Sequence, residues 1–217
     1  MDYRILPVTP FAQNCTLLWC TETRRAAVVD PGGEIERIRA AADDLGLAVE
    51  RILITHGHID HAGGAALLAR TLAVPIDGPQ VEDAFWIDGI VVQGQKYGMD
   101  GAETFTPSRW LNDGDTVAVG KENLQVIHAP GHTPGHVVFF HPAARLALVG
   151  DVLFAGSIGR TDFPRGDHAA LISAIRDKLF PLGDDIRFIP GHGPLSTFGE
   201  ERAHNPYVGD RAHRSGG

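Results

Sequence analysis

The stretch ITHGHIDHAGG, residues 54–64, sets His56, His58, Asp60 and His61 within six positions. It follows directly on the run Arg51-Ile52-Leu53-Ile54, whose β-branched and leucine content reads as a strand. The stretch is therefore a loop that leaves a strand end and enters a helix near Ala62, a place where functional side chains gather. In a locally extended chain His56, His58 and Asp60 share one side by the period of two, and His61 turns the other way as the helix begins. One short loop then serves two neighbouring points. The alternative is an accidental cluster of surface or capping histidines; four ligand-type residues in six, beside the small Gly63 and Gly64, weigh against it.

Three more candidates stand where a strand-like run has just ended. His132 lies in HAPGHTPGH (128–136) after the run 124–127, Asp151 follows LALVG, and His192 lies in IPGHGP after RFIP. Imidazole and carboxylate donors with no cysteine among them suit zinc, iron or manganese, and seven are too many for one tetrahedral ion. Two divalent metal ions fit the count. Such ions repel each other at close range, so the site also needs anionic bridges, which a carboxylate and a hydroxide supply.

Strand patterns recur over 16–19, 26–29, 51–54, 116–119, 124–127, 137–140, 146–149 and 187–189. Helical spacing covers 35–45, closed by Gly46, then 65–71, 82–92 and 168–179, with Asp167 as N-cap. Strands and helices interleave with no low-complexity linker, which predicts one α/β domain over 1–217 with a frayed tail at 209–217. Strands ending in aspartate at VVDPGG (28–33) and ALVGD (147–151) are too short a likeness to make a repeat.

At 217 residues, 43% hydrophobic and 21% charged, with 26 glycines and 14 prolines, the chain reads as soluble and globular. No apolar run approaches the ~20 residues of a membrane helix, and the start MDYRILPVTPFAQ has no leader pattern, so the expected location is cytoplasmic, away from membranes. A formal charge of −8 offers no field for a nucleic-acid backbone. Cys15 and Cys20 read as reduced core thiols.

THGHIDH (55–61), PGHTPGH (130–136), GD (150–151) and PGHG (190–193) together resemble the metallo-β-lactamase superfamily. FAQNC, VVDPGG, FAGSIGRTDFPRGDH, PGHGPLSTFGEER and NPY extend the likeness to its short glyoxalase II-like hydrolases, from about Phe11 to Tyr207. The resemblance implies an αββα sandwich with metals at one edge of the two sheets. It implies His56, His58 and His132 for a first metal, Asp60, His61 and His192 for a second, and Asp151 as the bridge. The implied reaction is hydrolysis of S-lactoylglutathione-type 2-hydroxyacyl thioesters, with a bridging hydroxide as nucleophile and a small-molecule glutathione conjugate as substrate. Asp151 and Asp60 are the acidic catalytic candidates, Asp60 first as a ligand and then as a proton carrier.

Arg160 and Phe163, in GRTDFPRG, stand where relatives hold substrate; an Arg160–Asp162 ion pair and packing of Phe163 are the competing readings. His136 reads as support for a ligand, and Asp30 as either orienting a histidine or capping a turn. Phe85 and Trp86, on a helix over 82–92, are expected to pack inward, the competing reading being that this helix and the stretch to Trp110 cover the metal site as a lid. His128, His141, His168, His204 and His213 receive no role. Persulfide dioxygenases, mono-iron oxidoreductases on the same scaffold, also resemble the chain through GRTDF, but carry Ala-His-Asp where this chain has Gly191-His192-Gly193. Hydrolysis of another ester or lactone is a further alternative, and a metallonuclease is disfavoured by the charge.

Overall fold

The computed structural model describes residues 1–211. One sheet has five strands in sequential order: β1 (Asp2–Val8), β2 (Gln13–Trp19), β3 (Arg25–Val29), β4 (Ala48–Leu53) and β5 (Ile76–Asp77). The second is built from β6 (Thr116–Val119), β7 (Glu122–His128), β8 (Val137–His141), β9 (Leu146–Gly150), β12 (Arg187–Pro190) and β13 (Ser196–Thr197), in the order β13-β12-β9-β8-β7-β6. The short hairpin β10 (Leu153–Phe154) and β11 (Ser157–Ile158) stands apart from both sheets.

Three apolar layers hold this arrangement. Leu18, Val29 and Leu53 from the first sheet meet Val126, Phe139 and Leu148 from the second, filling the space between the sheets. Helices α1 (Ile35–Asp44), α2 (Ile59–Ala62) and α3 (Ala65–Leu72) cover the outer face of the first sheet through Ile38, Ala42, Ile59 and Leu68. The chain over 168–182 and the C-terminal helix cover the second sheet through Leu171, Ile175 and Phe198. The result is the αββα sandwich that the family resemblance implies, an arrangement in which each sheet is covered on both faces. Strands β2, β8 and β9 are buried along their whole length.

Local chemistry explains the ends. Helix α1 stops at Gly46, whose positive φ of 60° lets the N–H groups of Gly46 and Leu47 return to the carbonyls of Asp43 and Ala42. Asp167 accepts the N–H of Ala170 at 3.0 Å and caps α6 (His168–Ser173), which continues as a π-helical turn to Leu179. The helix expected over 82–92 is broken: a 3₁₀ turn at Val81–Asp83 precedes α4 (Ala84–Asp88), and α5 (Ile90–Tyr97) restarts after Gly89. Helix α7 (Phe198–His204) closes the sandwich, capped by Thr197. The predicted frayed tail falls largely on 212–217, outside the described residues; Gly209 and Asp210 donate backbone N–H bonds to Asn205 and Arg202. No described helix is long and apolar enough to cross a membrane.

Two parallel strand pairs fix the position of the site. β3 runs parallel to β4 and β9 parallel to β12, so each pair delivers its C-terminal ends to one edge. Backbone bonds from Val137 to Thr55 (2.8 Å) and from Asn14 to Gly191 (2.7 Å) join the two sheets at that edge. Asp30, His56, Asp151 and His192 therefore leave four strands toward a common point.

Candidate metal centre

Among the described residues, the donor atoms of His56, His58 and His132 lie within 4.8 Å of one another, as do those of Asp60, His61 and His192, and Asp151 groups with His56 and His61. All seven side chains singled out in the sequence thus come together. His58 Nδ1 is 3.1 Å from His56 Nε2 and 3.0 Å from His132 Nε2. An ion held at ~2.0–2.1 Å by imidazoles in a tetrahedron sets its ligands roughly 3.4 Å apart, so these nitrogens have close to the spacing of ligands to one centre. His192 Nε2 is 3.1 Å from Asp60 Oδ2, and His61 Nε2 is 3.3 Å from Asp151 Oδ1. That last pair is close but lacks hydrogen-bond alignment: His61 Nε2 and Asp151 Oδ1 are both buried without a partner. Buried polar atoms left this way are costly unless something binds them.

The outer ring nitrogens show how the cluster is prepared. Nδ1 of His132 meets the Arg160 carbonyl at 2.8 Å and Nδ1 of His192 meets the Phe11 carbonyl at 3.1 Å. Nδ1 of His61 meets Asp30 at 2.9 Å, and Nδ1 of His56 meets the Thr55 hydroxyl at 3.1 Å. A ring that donates outward from Nδ1 keeps the lone pair of Nε2 free to face inward, which is the tautomer a metal ligand needs. The donor set and its support fit divalent metals. Asp30 orients His61 and also accepts the N–H and hydroxyl of Thr55, at 2.7 and 2.6 Å, combining the histidine-orienting role with that of a turn anchor. His136 stacks on His56 at 4.7 Å and accepts the Asp151 N–H at 3.1 Å, so it braces the end of β9.

The two groups differ in charge. Burial and the neighbouring imidazoles push His56 well below the usual histidine range, push His58 down to about 3, and lower His132 despite Asp151. Burial opposes a charge on His61 as well, but Asp151 and Asp60 outweigh it and raise His61 well above its ordinary value. His192 is raised too: burial opposes it, and the Asp60 hydrogen bond and Asp151 prevail. Asp151 is held far down, mainly by His61 and then by His132 and His192, against its burial. These opposite shifts bias the metal-free first group toward neutral imidazoles and the second toward protonated ones. Loading zinc should accordingly release protons from His61 and His192 and none from His56 and His58, and acidification should empty the second group first. Calorimetry in buffers of different ionisation enthalpy measures that release; proton-neutral loading at both sites would contradict the assignment.

The donors open into a cavity of about 670 Å³ walled by Trp86, Phe163, Phe11 and Tyr97, with Arg160 and Lys96 at its rim. Trp86 does not pack inward as expected. It stands edge-on to His58 at 4.5 Å on the cavity wall, because the break at Gly89 lets Ile87 and Ile90 take the buried face. Phe163 stands edge-on to His58 at 4.8 Å and lies under the Arg160 guanidinium at 4.3 Å. Arg160 makes the bidentate pair with Asp162, both bonds 2.6 Å, and also lines the cavity. Lys96 was passed over in the sequence, where a lone exposed lysine on a helix carries no signal. Cys15 and Cys20 are buried and free.

The chain belongs to the metallo-β-lactamase superfamily, whose family model matches residues 8–192. It is 45% identical over 213 residues to the hydroxyacylglutathione hydrolase GloC of Haemophilus influenzae, covering 98% of this chain and 100% of that one. Among solved structures it superposes on the BLEG-1 B3 metallo-β-lactamase with a TM-score of 0.87, at 31% identity over 95% of this chain and 99% of the other. It also superposes on the di-iron-bound form of TTHA1623, with a TM-score of 0.85 at 34% identity over 94% and 99%.

Proposed function

We propose that this enzyme is a metal-dependent thioester hydrolase acting on 2-hydroxyacyl thioesters of glutathione. The observation that carries the reading is the 45% identity over 98% of the chain to the hydroxyacylglutathione hydrolase GloC, beside a donor cluster suited to divalent metal and a cavity lined by Arg160 and Lys96. Two divalent ions, zinc, iron or manganese, would supply Lewis acidity at the acyl carbonyl and a water activated for attack.

His56, His58 and His132 are the proposed ligands of the first ion, and Asp60, His61 and His192 those of the second, with Asp151 between them. Water adds to the acyl carbon, the C–S bond breaks, and the products are a 2-hydroxy acid and a free thiol. A thiolate leaves readily, so no strong general acid is required at sulfur. Asp60, which lines the cavity, is the proposed carrier of the proton that attack releases. The walls formed by Trp86 and Phe163 exclude bulk water from the acyl group. The rim cations are suited to the carboxylates of the thiol half.

Arg160 shares its charge with Asp162, whereas Lys96 has no carboxylate partner among the described residues and lies over the Tyr97 ring at 4.9 Å. Lys96→Ala should therefore raise KM for S-lactoylglutathione more than Arg160→Ala does, each severalfold with kcat little changed. An uncharged lactoyl thioester should show neither effect, and equal losses on both substrates would remove the rim from substrate binding.

The substrate panel that tests the reading comprises S-D-lactoylglutathione, a β-lactam and glutathione persulfide with oxygen uptake recorded. Turnover confined to the thioester and abolished by chelation is expected. Oxygen uptake on persulfide would favour the mono-iron oxidoreductase reading instead, and β-lactam turnover alone would move the substrate class.

A further inference from the structure

Asp83 belongs to neither donor group, yet its carboxylate ties together the two loops that carry the first. It is completely buried, at 0% exposure, in the turn that precedes α4. Oδ2 accepts the N–H of Gly57 at 2.9 Å, and Gly57 sits between His56 and His58. The same oxygen accepts the Thr133 hydroxyl at 2.8 Å, and Oδ1 accepts the Gly135 N–H at 2.6 Å; Thr133 directly follows His132. Both loops have glycine where they approach this turn. A Cβ on Gly57 would come within 2.6 Å of Trp86 Cβ, and one on Gly135 within 2.6 Å of the Asp83 nitrogen. A second side chain from the same segment, Gln93, accepts the Ile59 N–H at 3.1 Å and donates to the Trp86 carbonyl at 2.8 Å.

Resting on the two-metal reading above, we infer that Asp83 is a positioning residue for the first metal. It clamps the His56–His58 loop of one sheet to the His132 loop of the other, so that three imidazoles keep a common focus. Only a carboxylate supplies acceptors for three donors from two directions in this space; an amide would turn an N–H₂ toward one of the N–H groups. The second donor group has supports of its own outside this clamp, His61 on Asp30 and His192 on the Phe11 carbonyl, so it depends on Asp83 less. The segment that clamps the first group also carries Trp86 and Lys96, so the substrate wall and the first metal are fixed by one buried carboxylate.

The test is zinc affinity by chelator competition, in chains that keep one donor group at a time. With the second group disabled by His192→Ala, adding Asp83→Asn should weaken the remaining zinc by roughly 10–100-fold, the range for lost outer partners of metal ligands. With the first group disabled by His132→Ala, adding Asp83→Asn should leave zinc affinity unchanged. Thr133→Val keeps volume and removes one of the three bonds, and should shift affinity the same way by less. It also decides the matter if the Asp83 variant does not fold. Equal zinc affinity with and without each substitution in the His192→Ala chain, or equal losses in both chains, would overturn the inference. A native chain that holds no second zinc would instead overturn the two-metal reading itself, a result read before any Asp83 variant is made.

Discussion

Asp151→Ala is expected to lower thioester hydrolysis by roughly 10³-fold and to strip metal from both groups, the largest functional loss from any single change here. Its two oxygens face both groups: Oδ1 lies 3.3 Å from His61 Nε2, and Oδ2 lies 3.5 Å from His132 Nε2 and 3.7 Å from His192 Nε2. Two dications held a few ångström apart in a poorly screened site would repel strongly, and under the proposed assignment the Asp151 carboxylate would be the anion that lets both stay. The backbone of Asp151 is anchored separately, through its N–H to His136, so the loss is one of charge and ligation with the loop left in place. Asp151→Asn, which keeps the shape, should fall nearly as far. Metal analysis beside kcat checks this, and an asparagine variant with native metal content and rate would show that the bridging charge is dispensable.

The largest stability effect is expected from Phe139→Ala. Phe139 is fully buried in β8, paired with Val126 on one side and Leu148 on the other, in the layer where the two sheets meet. Removing such a ring leaves a cavity between stiff sheets that cannot close, at a cost of about 3–5 kcal/mol. For a chain of this size that lowers Tm by roughly 10 °C. Thermal unfolding of matched metal-free samples measures it, and a Tm unchanged by the substitution would mean that this ring does not hold the sheets together.

Most of the longer strands are legible in the sequence from their apolar runs, whereas their assembly into a sandwich follows from the family resemblance, because such a run marks a strand and not its sheet. Apolar stretches at 17–19 in β2, 26–29 in β3, 137–140 in β8 and 146–149 in β9 suit a sheet covered on both faces. The edge strand β1 went unread: its residues bury only Leu6 and Val8, and the pattern over Asp2–Val8 carries little signal without its partner β2. Two-residue strands such as β5 and β13 are likewise products of pairing, with no local period to detect.

The donor cluster was legible for a related reason. Each donor follows a strand end within a few residues, so the sequence that marks the strand also locates the ligand. The supporting groups were not legible. Asp83 lies 26 positions from Gly57 and 52 from Gly135, and nothing in VEDAFW marks its carboxylate as buried. An aromatic stripe at helical spacing points to core for Trp86, whereas the helix breaks at Gly89 and its ring lines the cavity. Arg160 illustrates the remaining gap. Its side chain pairs with Asp162 while its carbonyl holds His132, so the loop has a structural duty that no motif expresses.

The most direct test of the account is a metal titration of chelated, metal-free protein, with S-D-lactoylglutathione hydrolysis followed at every addition. The account predicts that activity rises to its plateau at two equivalents of metal per chain, with little turnover from a first equivalent held by one group alone. Full activity at a single equivalent, or no thioester turnover at any loading, would contradict it.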